Sequence, residues 1–297
     1  MNARRSGPSI SRRELLLGAA LLLAPNARAD VPLRIASIDW AMLETLCALG
    51  VVPIAATELI QFRSDAVEPA LPADVVDLGL RGSPNFELLH LLRPDLILIS
   101  PFYVRHEAAL SRIAPILSLP FYVRGEPPFE KALAAVKTLG ERLGRGEKAQ
   151  AVLEEIATEI AGYRQALAPF ADRPTYLVNI GDARHVRVFG FDSMFGDMLA
   201  RLGLPNAWTD GSRFTFAAPV PIEKLAGNPD ARIVVVSDVP VEARSSLKAS
   251  IIWNTLEPVR KGRVIYLANV NPYGGVTAGL RFARLLTEAI VAGDERG

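Results

Sequence analysis

The chain is poor in the residues that usually carry chemistry. A single cysteine, Cys47, occurs in 297 residues, which excludes an intramolecular disulfide even in an oxidising compartment. It lies in the apolar helical pattern Trp40 to Leu49, where a thiol packs as a small core residue. The three histidines, His90, His106 and His185, form no HxxxH or HxH arrangement, so a preformed zinc or manganese site is not expected. A formal net charge of +1 excludes the strong basic field of a nucleic-acid binder. Ser193, in Gly190-Phe-Asp-Ser-Met-Phe-Gly196, lacks the glycine spacing of a nucleophile elbow. The run Gly140 to Lys148 has glycines and a lysine, but in an order and a helical context foreign to a phosphate loop. A chain without a catalytic cluster, an intrinsic cofactor or a protein-bound metal reads as a binder rather than an enzyme.

What is present begins with an export pattern. Ser11-Arg12-Arg13-Glu14-Leu15-Leu16 has a twin-arginine arrangement, followed by the apolar run Leu15 to Ala24 and a small-x-small site at Ala27-Arg28-Ala29. The run is too short to span a bilayer. Residues 1–29 are therefore expected to be a twin-arginine signal peptide, with the mature chain starting at Asp30 in the periplasm.

From Leu33 onward, short β-branched or leucine-rich runs alternate with helical patterns, the signature of βα units on a mostly parallel sheet. Strands are expected at Arg34-Ile38, Val51-Ala56, Asp95-Ser100 and Ile116-Leu119. Helices are expected at about Ala41-Leu49, Asn85-Leu92 and Arg105-Arg112, then Phe129 to Leu143 and Lys148 to Leu167. The last of these carries Val152, Ile156, Ile160, Tyr163 and Leu167 at helical spacing, one long amphipathic helix. A second series follows, with strands at Tyr176-Ile180, Val186-Phe189, Ile233-Ser237 and Val264-Leu267. Its helices are expected at Asp192-Leu202, Ile222-Ala226, Val241-Leu247, Ser250-Leu256 and Thr277-Val291. The fold class is α/β: two lobes, each with a central mostly parallel sheet, joined by one long rigid helix. The expected boundaries are 30–146 for the first lobe, 147–168 for the joining helix and 169–297 for the second.

The most informative stretch is Asp77 to Ser100. It combines a strand-end glycine, an arginine in a turn, a helix capped by Asn85 and stopped before Pro94, and a buried parallel strand. This leaves Arg81 beside a cleft as a planar cationic donor, although the residues alone also allow a structural pairing with Asp77 or Glu87.

Gly79-Leu-Arg81, Pro84-Asn85-x-Glu87-Leu-Leu89 and Arg93-Pro-Asp-Leu-Ile97 resemble the periplasmic binding proteins for ferric siderophores and vitamin B12, in particular their ferric-hydroxamate branch. Further strings in the same order extend this over most of the chain: Ala48-Leu-Gly-Val-Val-Pro53, Ile113-Ala-Pro115, Val188-Phe-Gly190, Leu204-Pro-Asn-Ala-Trp208, Ile222-Glu-Lys-Leu-Ala226 and Phe282-Ala-Arg284. The resemblance implies a rigid two-lobed receptor of an ABC importer, without large hinge closure. Its cargo would be a ferric siderophore, with iron held only by the siderophore. Its partner would be an inner-membrane permease with a cytoplasmic ATPase, and the receptor itself a monomer.

By the same resemblance Arg81 and Tyr103 would donate to the iron-coordinating oxygens, and Glu68 and Glu223, one per lobe, would dock on the permease. Where the ferrichrome-type site has tryptophans, this chain has Asp65, Thr215 and Asn271. Phe102, Phe216 and Tyr273 are expected to line the cleft in compensation, with Met194 from the second lobe and with Phe214 and Trp208 as further candidates. The same fold admits haem, with Tyr103 as an axial oxygen ligand, or cobalamin or a catecholate siderophore. An exported cofactor enzyme is the alternative from another class.

Overall fold

The computed structural model describes residues 33–209 and 219–294. The export pattern, Phe214, Thr215 and Phe216 lie outside the described residues.

The alternating apolar runs form two five-stranded sheets. In the first, β1 (Ile35–Ser37), β2 (Ala55–Ala56), β3 (Val76–Asp77), β4 (Leu96–Ile99) and β5 (Ile116–Ser118) lie in the order β3-β2-β1-β4-β5, all parallel. Parallel strands are covered on both faces, so β1 and β4 are apolar and buried at nearly every position. Helix α1 (Trp40–Ala48) follows β1, with Asp39 accepting from the Met42 amide as its cap. After β2 comes α2 (Leu59–Asp65), a helix with no clear periodic signal in the sequence. Asn85 caps α3 (Phe86–Leu92) through the Leu88 amide, as its position before the apolar run predicts. The segment expected as a helix from Arg105 to Arg112 is instead a 3₁₀ turn, Pro101–His106, followed by the single turn α4 (Glu107–Leu110).

Helices α5 (Phe129–Arg142) and α6 (Gly146–Leu167) follow as expected, α6 being a continuous 22-residue rod. The second sheet has the order β10-β9-β6-β7-β8 and is mixed. Here β6 (Thr175–Ile180), β9 (Arg232–Val235) and β10 (Val264–Tyr266) are parallel, whereas β7 (His185–Val188) runs antiparallel to both β6 and β8 (Val220–Pro221). Between them lie α7 (Met194–Arg201), a 3₁₀ turn at Ile222–Gly227 and the short helices α8 (Val241–Ala249), α9 (Ile251–Thr255) and α10 (Glu257–Arg260). The last element is α11 (Val276–Asp294).

One core runs through α1, α5, α6, α7 and α11, joining residues such as Met42, Phe129, Ile156, Phe195, Met198 and Phe282. Met194 belongs to it. Its side chain is fully buried, with its sulfur against Gly279, so it is a core residue and not the cleft residue expected from the sequence. Trp208 is buried as well, in the layer covering the other face of the second sheet. No helix among the described residues is long and apolar enough to cross a membrane.

Candidate functional site

In an open parallel sheet, cleft residues collect just beyond the carboxyl ends of the strands. The first sheet follows that rule at every strand. Asp39 and Trp40 follow β1, Glu58 follows β2, Arg81 follows β3, Ser100, Phe102 and Tyr103 follow β4, and Phe121 and Tyr122 follow β5. All of them line one cavity of about 660 Å³, which Tyr273 completes from the loop after β10. Arg81, Tyr103, Phe102 and Tyr273 are thus brought together.

Arg81 is held from three sides. Its backbone and Nε donate to the two oxygens of Glu58, at 3.1 and 2.6 Å. Its guanidinium carbon lies 3.8 Å from the centre of the Trp40 ring, a cation–π contact. The hydroxyl of Tyr103 meets the same guanidinium. Asp77, one of the two acids within reach by sequence, does another job: its oxygens accept from the amides of Gly79 and Leu59 and so shape the turn before Arg81. Gly79 sits at φ +75°, a conformation that favours glycine. Glu58 itself adopts φ +51° at the start of α2, an unusual backbone for a side chain and one that aims it at Arg81.

Tyr103 is almost wholly buried within this wall, and burial pushes its phenol well above the ordinary value, so it remains a protonated hydroxyl. Asp39 accepts from Ser100 Oγ at 2.7 Å, and burial raises its carboxyl despite that bond. Phe102 is 78% exposed at the rim and packs edge-on against Tyr103.

A second cavity of about 350 Å³ shares Tyr273 with the first. Asp65 contributes from α2, whereas Asn179, Arg187, Asp238 and Asn269 contribute from the second sheet and its loops. Charged groups of both signs thus stand beside an apolar floor that includes Phe189, Phe195 and Val270. Arg187 projects outward from β7, where the burial alternates along the strand, and it has no ion-pair partner among the described residues. The Asp65 oxygens accept from Gln61 and Ser64 of the same helix.

Asn271, expected at a cleft tryptophan's place, does not line either cavity. It is buried, and its amide donates to Glu44 at 2.8 Å. Glu44 is buried in α1 and also accepts from the amides of Gly275 and Ala278, at 2.7 and 3.1 Å. Desolvation pushes its carboxyl up to about 7, outweighing the three bonds that favour the charged form.

The two expected docking carboxylates differ. Glu68 is paired with Arg281 and Arg284 of α11, at 2.6 and 2.8 Å, whereas Glu223 is exposed in the 3₁₀ turn after β8 and has no ion pair among the described residues. His185 pairs with Asp182, His90 is exposed, and no group of three or more metal-type side chains occurs among the described residues. Cys47 is partly buried, and desolvation pushes its thiol up to about 12, leaving it unreactive.

Sequence reasoning missed Trp40, Glu58, Tyr122 and Arg187. The first three stand just past strand ends, a position that could have singled them out. Arg187 had no such signal, because it sits within an antiparallel strand.

The profile of a family described as periplasmic binding protein matches residues 35–270. The iron(3+)-hydroxamate-binding protein FhuD of Escherichia coli K12 is 32% identical over 289 residues, covering 95% of this chain and 97% of that protein. The achromobactin-binding periplasmic protein of Dickeya dadantii is 29% identical over 279 residues, covering 86% and 87%. Among solved structures, FhuD from Vibrio cholerae bound to Fe3+-Desferal superposes with a TM-score of 0.82 at 25% identity, covering 88% of this chain and 98% of that one.

Proposed function

Since the chain belongs to the periplasmic binding protein family, we propose that it is the receptor of an ABC importer for a ferric siderophore, of hydroxamate type. It binds its cargo in the cleft at the carboxyl ends of β1 to β5 and delivers it to an inner-membrane permease driven by a cytoplasmic ATPase. It performs no chemistry on the cargo. The hydroxamate-binding relative and the Desferal-bound neighbour support this cargo class.

One observation carries the reading: the Arg81 fork, clipped by Glu58, stacked on Trp40 and set beside the Tyr103 hydroxyl. A ferric hydroxamate exposes partly negative carbonyl and oximate oxygens around its metal. A planar guanidinium and a neutral phenol offer convergent donors to them, whereas an ammonium offers a single point charge. Glu58 neutralises part of the arginine's charge, which suits a cargo that is polar and near neutral better than a strongly anionic one. A haem iron would instead need Tyr103 as its oxygen ligand, whereas in this cavity that hydroxyl is already engaged by the Arg81 guanidinium.

Glu68 and Glu223 are the proposed docking points. Of the two, Glu223 is ready for an arginine of a partner, while Glu68 would exchange its bonds to Arg281 and Arg284 for intermolecular ones. Export by the twin-arginine route, a boundary between lobes on either side of α6 and a monomeric state complete the proposal.

Quenching of tryptophan fluorescence on titration with ferric hydroxamates, haem and cobalamin tests the reading. The expected result is saturable binding of the hydroxamate complexes only, weakened in Arg81→Ala. Binding of haem with a shifted Soret band, or unchanged affinity in the variant, overturns it.

A further inference from the structure

The seam between the two cavities is built around a buried carboxylate with no ion-pair partner among the described residues. Glu44 gathers three donors that are all remote in sequence: the Asn271 side chain and the amides of Gly275 and Ala278. Two of these amides belong to the segment entering α11, a 19-residue helix, whose positive end faces the carboxylate. The approach is close enough to specify glycine. A Cβ on Gly274 would lie 2.4 and 2.5 Å from the Glu44 oxygens, and one on Gly275 would lie 3.0 Å from the Ala41 carbonyl. Tyr122 adds a fourth tie, its hydroxyl donating to the Gly274 carbonyl at 2.6 Å.

Asn271 passes this restraint on. While its amide donates to Glu44, its side-chain oxygen accepts from the Tyr273 amide at 3.0 Å. Tyr273 lines both cavities and packs edge-on against Tyr122, with ring centres 5.9 Å apart. Arg81 lines the first of these cavities and Arg187 the second. The aromatic ring shared by the two cavities is therefore set by a hydrogen bond at its backbone, not by packing alone.

We infer that Glu44, acting through Asn271, is the positioning residue of the cleft: it fixes the loop 271–275 and so holds Tyr273 at the height where a bound chelate would stack. Neither Glu44 nor Asn271 lines either cavity, so Asn271 acts through Tyr273 and Glu44 through the loop that carries it. This rests on the siderophore-receptor reading for its ligand, but not for its geometry. At the position expected to carry a cleft aromatic this chain has a buried amide, and the aromatic that lines the cavities stands two residues along, at Tyr273.

A double-mutant cycle with ferric desferrioxamine as the probe tests it. Asn271→Ala in the wild-type background should weaken binding about tenfold, the scale of a lost hydrogen bond to a charged group. In a Tyr273→Ala background the same substitution should cost nothing more, because the side chain it positions is gone. Equal losses in both backgrounds, or no loss in the first, overturn the inference. Hydrogen exchange without ligand supplies an independent arm. The Tyr273 and Gly275 amides should exchange faster in Asn271→Ala and in Glu44→Gln, while the amides of β4 and α6 keep their protection. Unchanged exchange at Tyr273 in both variants also overturns the inference. If the wild-type protein binds no ferric hydroxamate at all, the cargo assignment fails, and the exchange arm still decides the role of Glu44.

Discussion

The two walls of the cleft are made by different means. The wall from the first sheet consists of five parallel strand ends that converge, so that short loops bring Asp39, Trp40, Glu58, Arg81, Tyr103 and Tyr122 into one cavity. The wall from the second sheet includes the antiparallel strand β7, whose outward face supplies Arg187, together with the loops after β9 and β10. The first wall is fixed by ion pairing and stacking before any ligand arrives. In the second, Arg187 has no ion-pair partner among the described residues. A preorganised wall contributes affinity because little ordering remains to be done on binding, whereas an open one tunes which substituents are tolerated.

That contrast can be broken at the seam first. The Glu44 carboxyl is raised from 4.5 to about 7, so its contribution to stability is fully present below pH 4.5 and is lost as the pH rises through about 7. The loss amounts to about 3 kcal/mol at the upper end. Asp39, also raised by burial, adds to the slope in the same sense. Thermal melts from pH 4.5 to 8 should fall progressively for the wild type and much less for Glu44→Gln; parallel curves would reject the assignment.

Next in size is the first wall itself. Arg81→Ala should cost about 2–3 kcal/mol of affinity for a ferric hydroxamate, since it removes a charged donor from a partly dry site. Isothermal titration reads this directly. Tyr103→Phe, which keeps the ring and removes one neutral donor, should cost about 1 kcal/mol in the same assay. The smallest effect belongs to the second wall. Arg187→Ala should change the affinity for a neutral ferric tris-hydroxamate by less than about 0.5 kcal/mol, as befits an exposed charge. A loss there equal to that of Arg81→Ala would invert the comparison.

Much of this was legible from residue order. The αβ alternation, the long helix α6 and the Asn85 cap are local, because period, capping and proline act within a few residues of one another. Arg81 and Tyr103 were singled out through the resemblance of their flanking strings, and the structure places both in the lining of one cavity. Met194 was placed in a helix correctly, but which way its side chain faces depends on the neighbours across the core, and here they are Gly279 and the aromatic core of α7 and α11. Likewise Asn271 read as a missing aromatic, whereas it faces inward to a partner 227 positions away.

The sequence by itself determined the class of the fold, the scarcity of catalytic groups and the arginine beyond β3, since these depend on composition and on contacts over short stretches of chain. Only the tertiary structure decided that Glu58 rather than Asp77 or Glu87 pairs with Arg81, that Glu68 is already engaged by α11, and that Glu44 and Asn271 hold Tyr273. Apart from the local bond from Asn271 to the Tyr273 amide, each of these is a hydrogen bond or ion pair between side chains far apart in the chain. Such partners are chosen by how strands and helices stack, not by any pattern in the residues around them.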